Sequence, residues 1–157
     1  MSRLAALLLA TALLATAHPT FPAELSPLVE VLLVVDAGTI HVRFRGRREV
    51  VRYLGIAVPQ VHHPVRGAEP FAAEAAEAHF ALVGGKTLRL EFEGEPGRDA
   101  DGALLAYAFL EDGTFLSARL VEAGWAWVVR DPRARRYRDL LEGKEAEARV
   151  ARRGIWR

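Results

Sequence analysis

The sequence predicts one small domain of mixed strand and helix, in which the strands predominate. Short runs rich in Val, Ile and Leu are separated by turn residues, which is typical of strands. Longer segments with helical apolar spacing end at glycine, which is typical of helices. With 157 residues, 51% of them apolar, the chain has enough apolar side chains for one core of ordinary size but not for two.

Five strands are predicted, and the first three form a meander. Each is rich in β-branched, leucine or aromatic side chains. The tripeptide Arg45-Gly46-Arg47 is predicted to turn the second strand into the third, because glycine accepts the backbone angles of a tight turn. The predicted strands span residues 29–35, 39–44, 49–56, 87–92 and 104–110.

Three helices are predicted, at residues 71–83, 115–123 and 135–153, and each is followed by a glycine that ends it. Gly143 lies inside the third helix, where glycine costs about 1 kcal/mol relative to alanine. Residues 57–70 carry three prolines and a glycine, and are predicted to form a loop. The predicted apolar face of the first helix consists of Phe71, Ala75, Ala78, Phe80 and Leu82.

The first residues are predicted to be a secretory signal and not part of the domain. A charged start, Met1 to Arg3, precedes an apolar run of 14 residues that ends in Ala-Thr-Ala. Cleavage after Ala17 would leave residues 18–27 as a linker and residues 28–157 as the domain of a secreted or periplasmic protein with no stable membrane span. The alternative is an uncleaved membrane anchor, although a helix that crosses a bilayer needs roughly 20 apolar residues.

The overall charge does not predict binding to nucleic acid. The chain has 21 basic and 20 acidic side chains, and without Arg3 the two kinds are equal in number. It has no cysteine, so export would add no disulfide. Arginines are concentrated in two places, and each is either a solvated surface or a local anion site. They are Arg43, Arg45, Arg47 and Arg48 around the predicted hairpin turn, and Arg130, Arg133, Arg135, Arg136 and Arg138 near the last helix.

Two motifs, VVDAGTI at residues 34–40 and VRYLGIAVPQ at residues 51–60, resemble those of a known family. They closely resemble the thermonuclease family, the staphylococcal-nuclease-like phosphodiesterases, whose usual pattern is V-V-D-G-D-T-I, V-R-L-I-G-I-D-T-P-E and a later D-x-Y-G-R-L-L-A-Y. The resemblance implies an α+β fold that is mainly β, a five-stranded OB-type barrel with about three helices. We expect the domain to be a monomer. Residues 69–93, 98–126 and 140–156 also resemble the family, in its order.

The resemblance also implies a calcium-dependent activity, for which essential residues are missing. Family members hydrolyse phosphodiesters with one calcium ion, held by two aspartates and a backbone carbonyl. In this sequence Gly38 and Ala57 occupy the two aspartate positions, Val58 occupies the carbonyl position, and Asp36 is retained nearby. Because both ligand carboxylates are absent, no metal or other cofactor is expected, except calcium if the protein is active.

The catalytic positions implied by the resemblance are also changed. The glutamate that activates water in the family is replaced by Gln60, whose amide can hold a water molecule but cannot accept its proton. Two arginines neutralise charge in the transition state of the family's reaction. Arg52 is retained and Ala103 replaces the other. Arg52 either recognises an anion or forms a structural ion pair.

These substitutions predict a catalytically degenerate domain that binds single-stranded nucleic acid or another anion. One alternative is an active metal-dependent nuclease of DNA or RNA whose ligands have moved to other carboxylates. A second alternative is a protein-interaction module with an unknown partner. Trp125, Trp127 and Trp156 either stack on bases or pack in the core. The candidates for relocated ligands are Asp36, Glu69, Asp99 and Asp101.

Overall fold

A computed structural model describes residues 25–157, and the predicted secretory signal with its cleavage point lies outside these residues. No helix in this part of the chain is long and apolar enough to cross a bilayer. The strands are β1 (Val29–Asp36), β2 (Thr39–Phe44), β3 (Arg47–Tyr53), β4 (Ile56–Ala57), β5 (Thr87–Glu91), β6 (Gly97–Arg98), β7 (Leu104–Leu110) and β8 (Trp127–Val128). The helices are α1 (Ala72–Val83), α2 (Leu116–Glu122) and α3 (Arg138–Val150), followed by a 3-10 turn at Gly154–Trp156.

Five of the strands close into a barrel, so the predicted OB-type architecture with three helices is confirmed. Their order is β3, β2, β1, β5 and β7, and each neighbouring pair in this order is antiparallel. β3 and β7 then pair in parallel, with Val51 opposite Leu104 and Tyr53 opposite Ala106. The short strands lie beside the barrel, where β6 pairs with β7 and β4 pairs with β8.

The predicted turn between β2 and β3 is a two-residue turn. Arg45 and Gly46 both have positive φ, at 50° and 75°. Two residues of positive φ match the twist of antiparallel strands and join them directly. Arg47 is already the first residue of β3 and lies opposite Phe44. The tight turn therefore brings the arginines on its two sides close together at the end of the hairpin.

Several predicted boundaries differ from the observed ones by one to three residues, and the last helix ends at Val150 and not at residue 153. β3 ends at Tyr53 and not at residue 56, because Gly55 has a φ of 79° and turns the chain before β4 begins. The last helix begins at Arg138 and not at residue 135. Asp131 Oδ1 accepts a hydrogen bond from Arg133 N at 2.8 Å, which holds the preceding residues in a turn.

The buried face of α1 is also different from the predicted one. Ala72, Ala75, His79 and Val83 are buried, whereas Phe80 is 63% exposed. The buried residues recur at intervals of three and four, as one face of a helix requires. The prediction was wrong because it followed the large apolar side chains, while the face that packs on β1 consists of small residues and a histidine.

The core fills the barrel and the space beneath α1 and α2. Burying each valine, leucine or isoleucine contributes about 1.5–3 kcal/mol. The residues just before β1 are attached to the barrel, because Ser26 N donates a hydrogen bond to Leu90 O in β5 at 2.7 Å. The fully buried core residues include Ile40, Val42, Val51, Leu88, Leu90 and Ala106 from the strands, and Leu116, Leu120 and Val121 from α2.

The C-terminal turn is held against the end of α2 by a backbone contact between two glycines. Gly124 and Gly154 have φ of 77° and 51°. Ile155 N donates a hydrogen bond to Gly124 O at 2.9 Å. A Cβ atom added to Gly124 would lie 2.2 Å from Arg153 O, which leaves no room for a side chain. The contact therefore requires glycine at both positions, and it fastens α3 and the last residues to the domain.

We expect opposite effects from alanine at two glycines. Gly143→Ala should raise the free energy of unfolding by about 1 kcal/mol, because Gly143 is inside α3 and has open space around its Cα. Gly124→Ala should lower it by more than about 2 kcal/mol, since the left-handed conformation alone costs alanine roughly 1–2 kcal/mol. Urea denaturation of both variants and the parent measures these changes. A destabilised Gly143→Ala would contradict the helix.

Candidate functional site

A cleft opens where the β1–β2 turn, the ends of β3 and β4, and the loop after β4 meet. Its volume is about 550 Å³. Glu69 and Asp101, two of the candidates for relocated ligands, line the cleft, whereas Asp99 and Ala103 do not. The structure also brings to this lining six positions implied by the resemblance, namely Asp36, Gly38, Arg52, Ala57, Val58 and Gln60.

The β1–β2 turn forms one wall of the cleft. Asp36 Oδ1 accepts a hydrogen bond from Gly38 N at 2.8 Å, and Gly38 O accepts one from Tyr53 N at 2.9 Å. A Cβ atom added to Gly38 would lie 3.3 Å from Val58 Cγ1 and 3.9 Å from Asp36 Oδ1. A side chain at position 38 would therefore point toward Val58 and Asp36, so the turn still directs this position at the cleft.

Arg52 reaches the cleft from β3 and is held in ion pairs. Its Nη1 atom contacts the Asp99 carboxylate and lies 3.4 Å from Asp101 Oδ2. The turn that carries these acids is ordered by Asp99 Oδ1, which accepts hydrogen bonds from Asp101 N at 3.0 Å and Ala103 N at 2.9 Å. Of the two interpretations offered by the sequence, the geometry shows the ion pair. An incoming anion would have to compete with two carboxylates for this guanidinium.

Glu69 anchors the loop after β4 and is not a free carboxylate. Its Oε2 atom accepts a hydrogen bond from Gln60 N at 2.9 Å, and Gln60 O accepts one from Glu69 N at 2.9 Å. Its Oε1 atom lies 2.7 Å from Arg66 Nη2. Because both oxygens already have partners, Glu69 fixes the backbone of Gln60 beside the cleft, while the Gln60 side chain is exposed.

The donor atoms of the cleft do not fit a calcium site. Within residues 25–157, no three His, Asp or Glu side chains lie close enough together to hold a metal ion. Calcium takes about 6–8 oxygen ligands, and its carboxylates supply the charge that holds it. Asp36 accepts a hydrogen bond from the backbone of the β1–β2 turn. Glu69 accepts one from the backbone of Gln60 and forms an ion pair with Arg66, and Asp99 forms an ion pair with Arg52. These carboxylates are therefore already paired with backbone N–H groups or with arginines.

The charge of the cleft is slightly negative. Asp36, Glu69 and Asp101 outnumber the two guanidinium groups in the lining, those of Arg52 and Arg66. Both arginines are already paired with carboxylates. Since phosphate recognition relies on uncompensated positive charge, this cleft offers a phosphate little net attraction.

The buried side chains of His79 and Tyr53 support the β1–β2 turn, and the sequence did not predict this contact. His79 Nδ1 is 2.7 Å from Asp36 O, and His79 Nε2 is 3.0 Å from the Tyr53 hydroxyl. Because a carbonyl only accepts, Nδ1 carries the proton and Nε2 accepts from Tyr53. Burial lowers the pKa of His79, although its bond to Asp36 O opposes this shift. The only signal in the sequence was a histidine at helical spacing from Ala72, Ala75 and Val83.

The three tryptophans occupy different environments. Trp125 packs against the main core, and Trp156 lies under Arg149, whose Cζ atom is 3.8 Å from the ring centroid. Trp127 belongs to β8 and lines the cleft, where its ring is half-buried. Two of the three therefore pack within the fold, and only Trp127 is available to a molecule in the cleft.

A closed five-stranded barrel with three helices is the architecture of an OB-type domain, and the comparisons with known proteins give its class. Residues 50–157 match the family described as "Staphylococcal nuclease homologue". The chain belongs to this family, as its motifs indicated.

Relatives with nuclease names support the same family. The chain is 35% identical over 133 residues to "SPbeta prophage-derived endonuclease YokF" and 34% identical over 124 residues to "Endonuclease YncB", both of Bacillus subtilis (strain 168). These alignments cover 82% and 78% of this chain but only 44% and 58% of the relatives, so the chain spans about half their length. It is 31% identical to "Thermonuclease" of Staphylococcus intermedius, over 78% of this chain and 72% of that protein.

We expect His79 to make stability depend on pH. Its pKa is below the ordinary value of 6.5 in the folded chain, so below that pH the unfolded chain takes up a proton that the folded chain does not. Stability should fall as the pH decreases from about 7 to 5. His79→Leu should weaken this dependence, and the part due to His41, whose pKa is also lowered by burial and by Arg48, should remain. The variant should cost about 1–3 kcal/mol at pH 8, because Tyr53 and Asp36 lose a buried partner.

Urea denaturation at four pH values between 5 and 8 compares the parent with His79→Leu. His62→Leu is the matched control, since His62 is exposed and its loss should leave the pH dependence unchanged. Parallel curves for the parent and His79→Leu would contradict a neutral, buried His79.

Proposed function

We propose that this chain is an exported staphylococcal-nuclease-like domain that has lost calcium-dependent hydrolysis and binds nucleic acid or another anion without cutting it. One observation carries the proposal. The fold directs positions 38, 57 and 60 at a cleft, and these positions hold Gly38, Ala57 and Gln60. The cleft therefore lacks the carboxylates that the resemblance assigns to these positions.

Loss of the metal ligands and of the base removes both parts of water activation. With Gly38 and Ala57, calcium loses two carboxylate ligands, and the remaining acids do not converge on one point. Gln60 can orient a water molecule but cannot take its proton. General-base assistance alone is worth about 10²–10⁴ in rate.

Charge stabilisation in the transition state is also weakened. Ala103 replaces one arginine, and the loss of one stabilising donor typically costs about 10²–10³ in rate. Arg52 is retained but paired with Asp99 and Asp101. The separate losses do not add, because residues that act as one unit are not independent. Even the largest single loss would leave a slow enzyme.

Export is proposed from the N-terminal sequence, with cleavage after Ala17 and a secreted or periplasmic product. The charged start, the apolar run and the small residues at its end support it. A monomer is the expected oligomeric state. An unknown protein partner is an alternative use of the same barrel.

An active nuclease is the second candidate, because the relatives named above carry the names endonuclease and thermonuclease. In this alternative, Asp36, Glu69 and Asp101 would have to rearrange around a metal ion. Their present hydrogen bonds and ion pairs oppose that rearrangement, and the longer relatives share only part of their length with this chain.

We expect no hydrolysis of single-stranded DNA or RNA by residues 18–157 in calcium, in other divalent ions or in chelator. A variant with Gly38→Asp, Ala57→Asp, Gln60→Glu and Ala103→Arg should cleave in calcium, because the turn already directs position 38 toward Val58 and Asp36. Release of a fluorophore from a quenched oligonucleotide measures both. The control carries the same changes except Gln60→Glu, and it should be slower by about 10²–10⁴. Metal-dependent cleavage by the parent would establish the nuclease alternative.

We expect calcium to leave the melting temperature of the parent unchanged and to raise that of the restored variant. A ligand at 100 times its Kd stabilises the folded state by about 2.7 kcal/mol, so a real site gives a clear shift. Thermal melts with calcium, magnesium and chelator measure it, and they also show whether the restored variant folds. A calcium-dependent rise in the parent would contradict the loss of the metal site.

A further inference from the structure

We propose that the cleft is a binding site for a small organic cation, namely a protonated primary amine attached to an aromatic or aliphatic body. This site goes beyond the proposed function and does not depend on it. The donor atoms of the cleft do not fit calcium, and its paired arginines offer a phosphate little attraction. Three features of the lining fit an ammonium group instead: a carboxylate without a cationic partner, an apolar wall and one accessible tryptophan ring.

Asp36 is the one carboxylate of the lining without an arginine partner in the described part of the chain. Its Oδ1 atom accepts a hydrogen bond from the backbone of the β1–β2 turn at 2.8 Å, and its Oδ2 atom has no hydrogen bond to any described residue. By contrast, Glu69 is paired with Arg66, and Asp101 lies 3.4 Å from Arg52. An ammonium group in the cleft would supply both the N–H donors and the positive charge that Asp36 lacks.

The wall of the cleft beside Asp36 is apolar. A Cβ atom added to Gly38 would lie 3.3 Å from Val58 Cγ1 and 3.9 Å from Asp36 Oδ1, so the valine and the carboxylate border the same point. The other aliphatic residues of the lining are Val35, Ile56, Ala57 and Val61. Since covering apolar surface is favourable, a carboxylate next to aliphatic side chains favours a ligand whose charged group is attached to an apolar body.

Trp127 adds an aromatic ring to this wall. It lies directly opposite Ala57 in the β4–β8 pair, and directly opposite residues of an antiparallel pair share one face. The resemblance implies an aspartate at position 57, so the ring here has a methyl group as its neighbour and not a carboxylate. The ring is half-buried and lines the cleft. An indole ring attracts an ammonium group over its face and also packs favourably against an aromatic body.

The charge of the lining favours a monovalent organic cation over other ligands. Calcium needs several carboxylates that converge on one point, and the described residues offer no such group. An anion would have to displace a carboxylate from Arg52 or Arg66. A neutral ligand would cover Asp36 Oδ2 without giving it a partner, which costs the desolvation of a charge. The cleft volume of about 550 Å³ lies within the range of small-molecule sites.

Three probes with the same phenyl ring and different charges test the inference. They are phenethylamine, which is a cation at pH 8, the neutral 2-phenylethanol and the anion 3-phenylpropanoate. The protein is expressed from the full chain with a nitrogen isotope label and purified as the host processes it. Each probe is titrated by two-dimensional NMR at low salt and pH 8, where histidine side chains are ordinarily uncharged. The amides of Gly38, Val58 and Gln60 and the indole N–H of Trp127 report on the cleft.

We expect phenethylamine to bind with a Kd in the millimolar range, about tenfold more tightly than 2-phenylethanol, with 3-phenylpropanoate weaker still. Asp36→Asn should reduce the affinity for phenethylamine to that for the alcohol, because an amide oxygen keeps the bond to the turn but carries no charge. Asp139→Asn is the matched control, since it removes an exposed carboxylate on α3 and should leave binding unchanged. Melting temperatures show that each variant is folded.

The aromatic part of the site has its own pair of variants. Trp127→Leu should weaken phenethylamine more than Trp127→Phe does, because leucine keeps an apolar side chain but has no aromatic face for the ammonium group. Equal affinities of the two variants would overturn the role of the ring in holding a cation.

Equal affinities of the three probes for the parent would overturn the inference, since the cleft would then select the phenyl ring alone. An unchanged affinity of Asp36→Asn for phenethylamine would overturn it as well, and so would the absence of shifts at the cleft resonances with tens of millimolar of any probe. Tightest binding of 3-phenylpropanoate would overturn it and would place the anion of the proposed function in the cleft.

Discussion

Closure of the barrel by the parallel pairing of β3 with β7 is the constraint on which the site depends. It places Arg52 opposite Leu105, and so brings the turn before β7 beside the end of β3. Asp99 and Asp101 on that turn reach Arg52 only because of this pairing, since they are 47 and 49 residues away in sequence. The same closure removes the free edges that would otherwise pair with other chains. The pairing of β3 with β7 therefore determines both the position of Arg52 at the cleft and its ion pairs.

The shape of the β1–β2 turn and the chemistry of the cleft depend on different atoms in this domain. The β1–β2 turn is held by backbone groups, by Asp36 and by the buried His79, none of which stands at a calcium-ligand position implied by the resemblance. Gly38 and Ala57 line the cleft, and neither has a side chain that could form a hydrogen bond to the turn. Function on such a scaffold has to be argued from side chains and not from the fold.

Local features of the fold were accessible from sequence, and contacts between distant residues were not. Alternating β-branched residues and the Arg45-Gly46 turn predicted the β2–β3 hairpin, because both depend on neighbouring residues. Barrel closure came from the resemblance and not from periodicity. The ion pair of Arg52 with Asp99 and the bond of His79 to Tyr53 need a three-dimensional arrangement that no pattern in the chain contains. The α1 face was mispredicted for a related reason, because side-chain size does not reveal which face meets a strand.

The hydrogen bond between Tyr53 and His79 has a consequence for spectroscopy. The Tyr53 hydroxyl is buried and bonded to a nitrogen, so its proton is shielded from exchange with water. Such a proton can persist long enough to give its own resonance, unlike the hydroxyl proton of an exposed tyrosine. Because His79 also holds the carbonyl of Asp36, the chemical shift of this one proton would report the state of the turn that shapes the cleft. The domain therefore carries an internal probe of its cleft that needs no label.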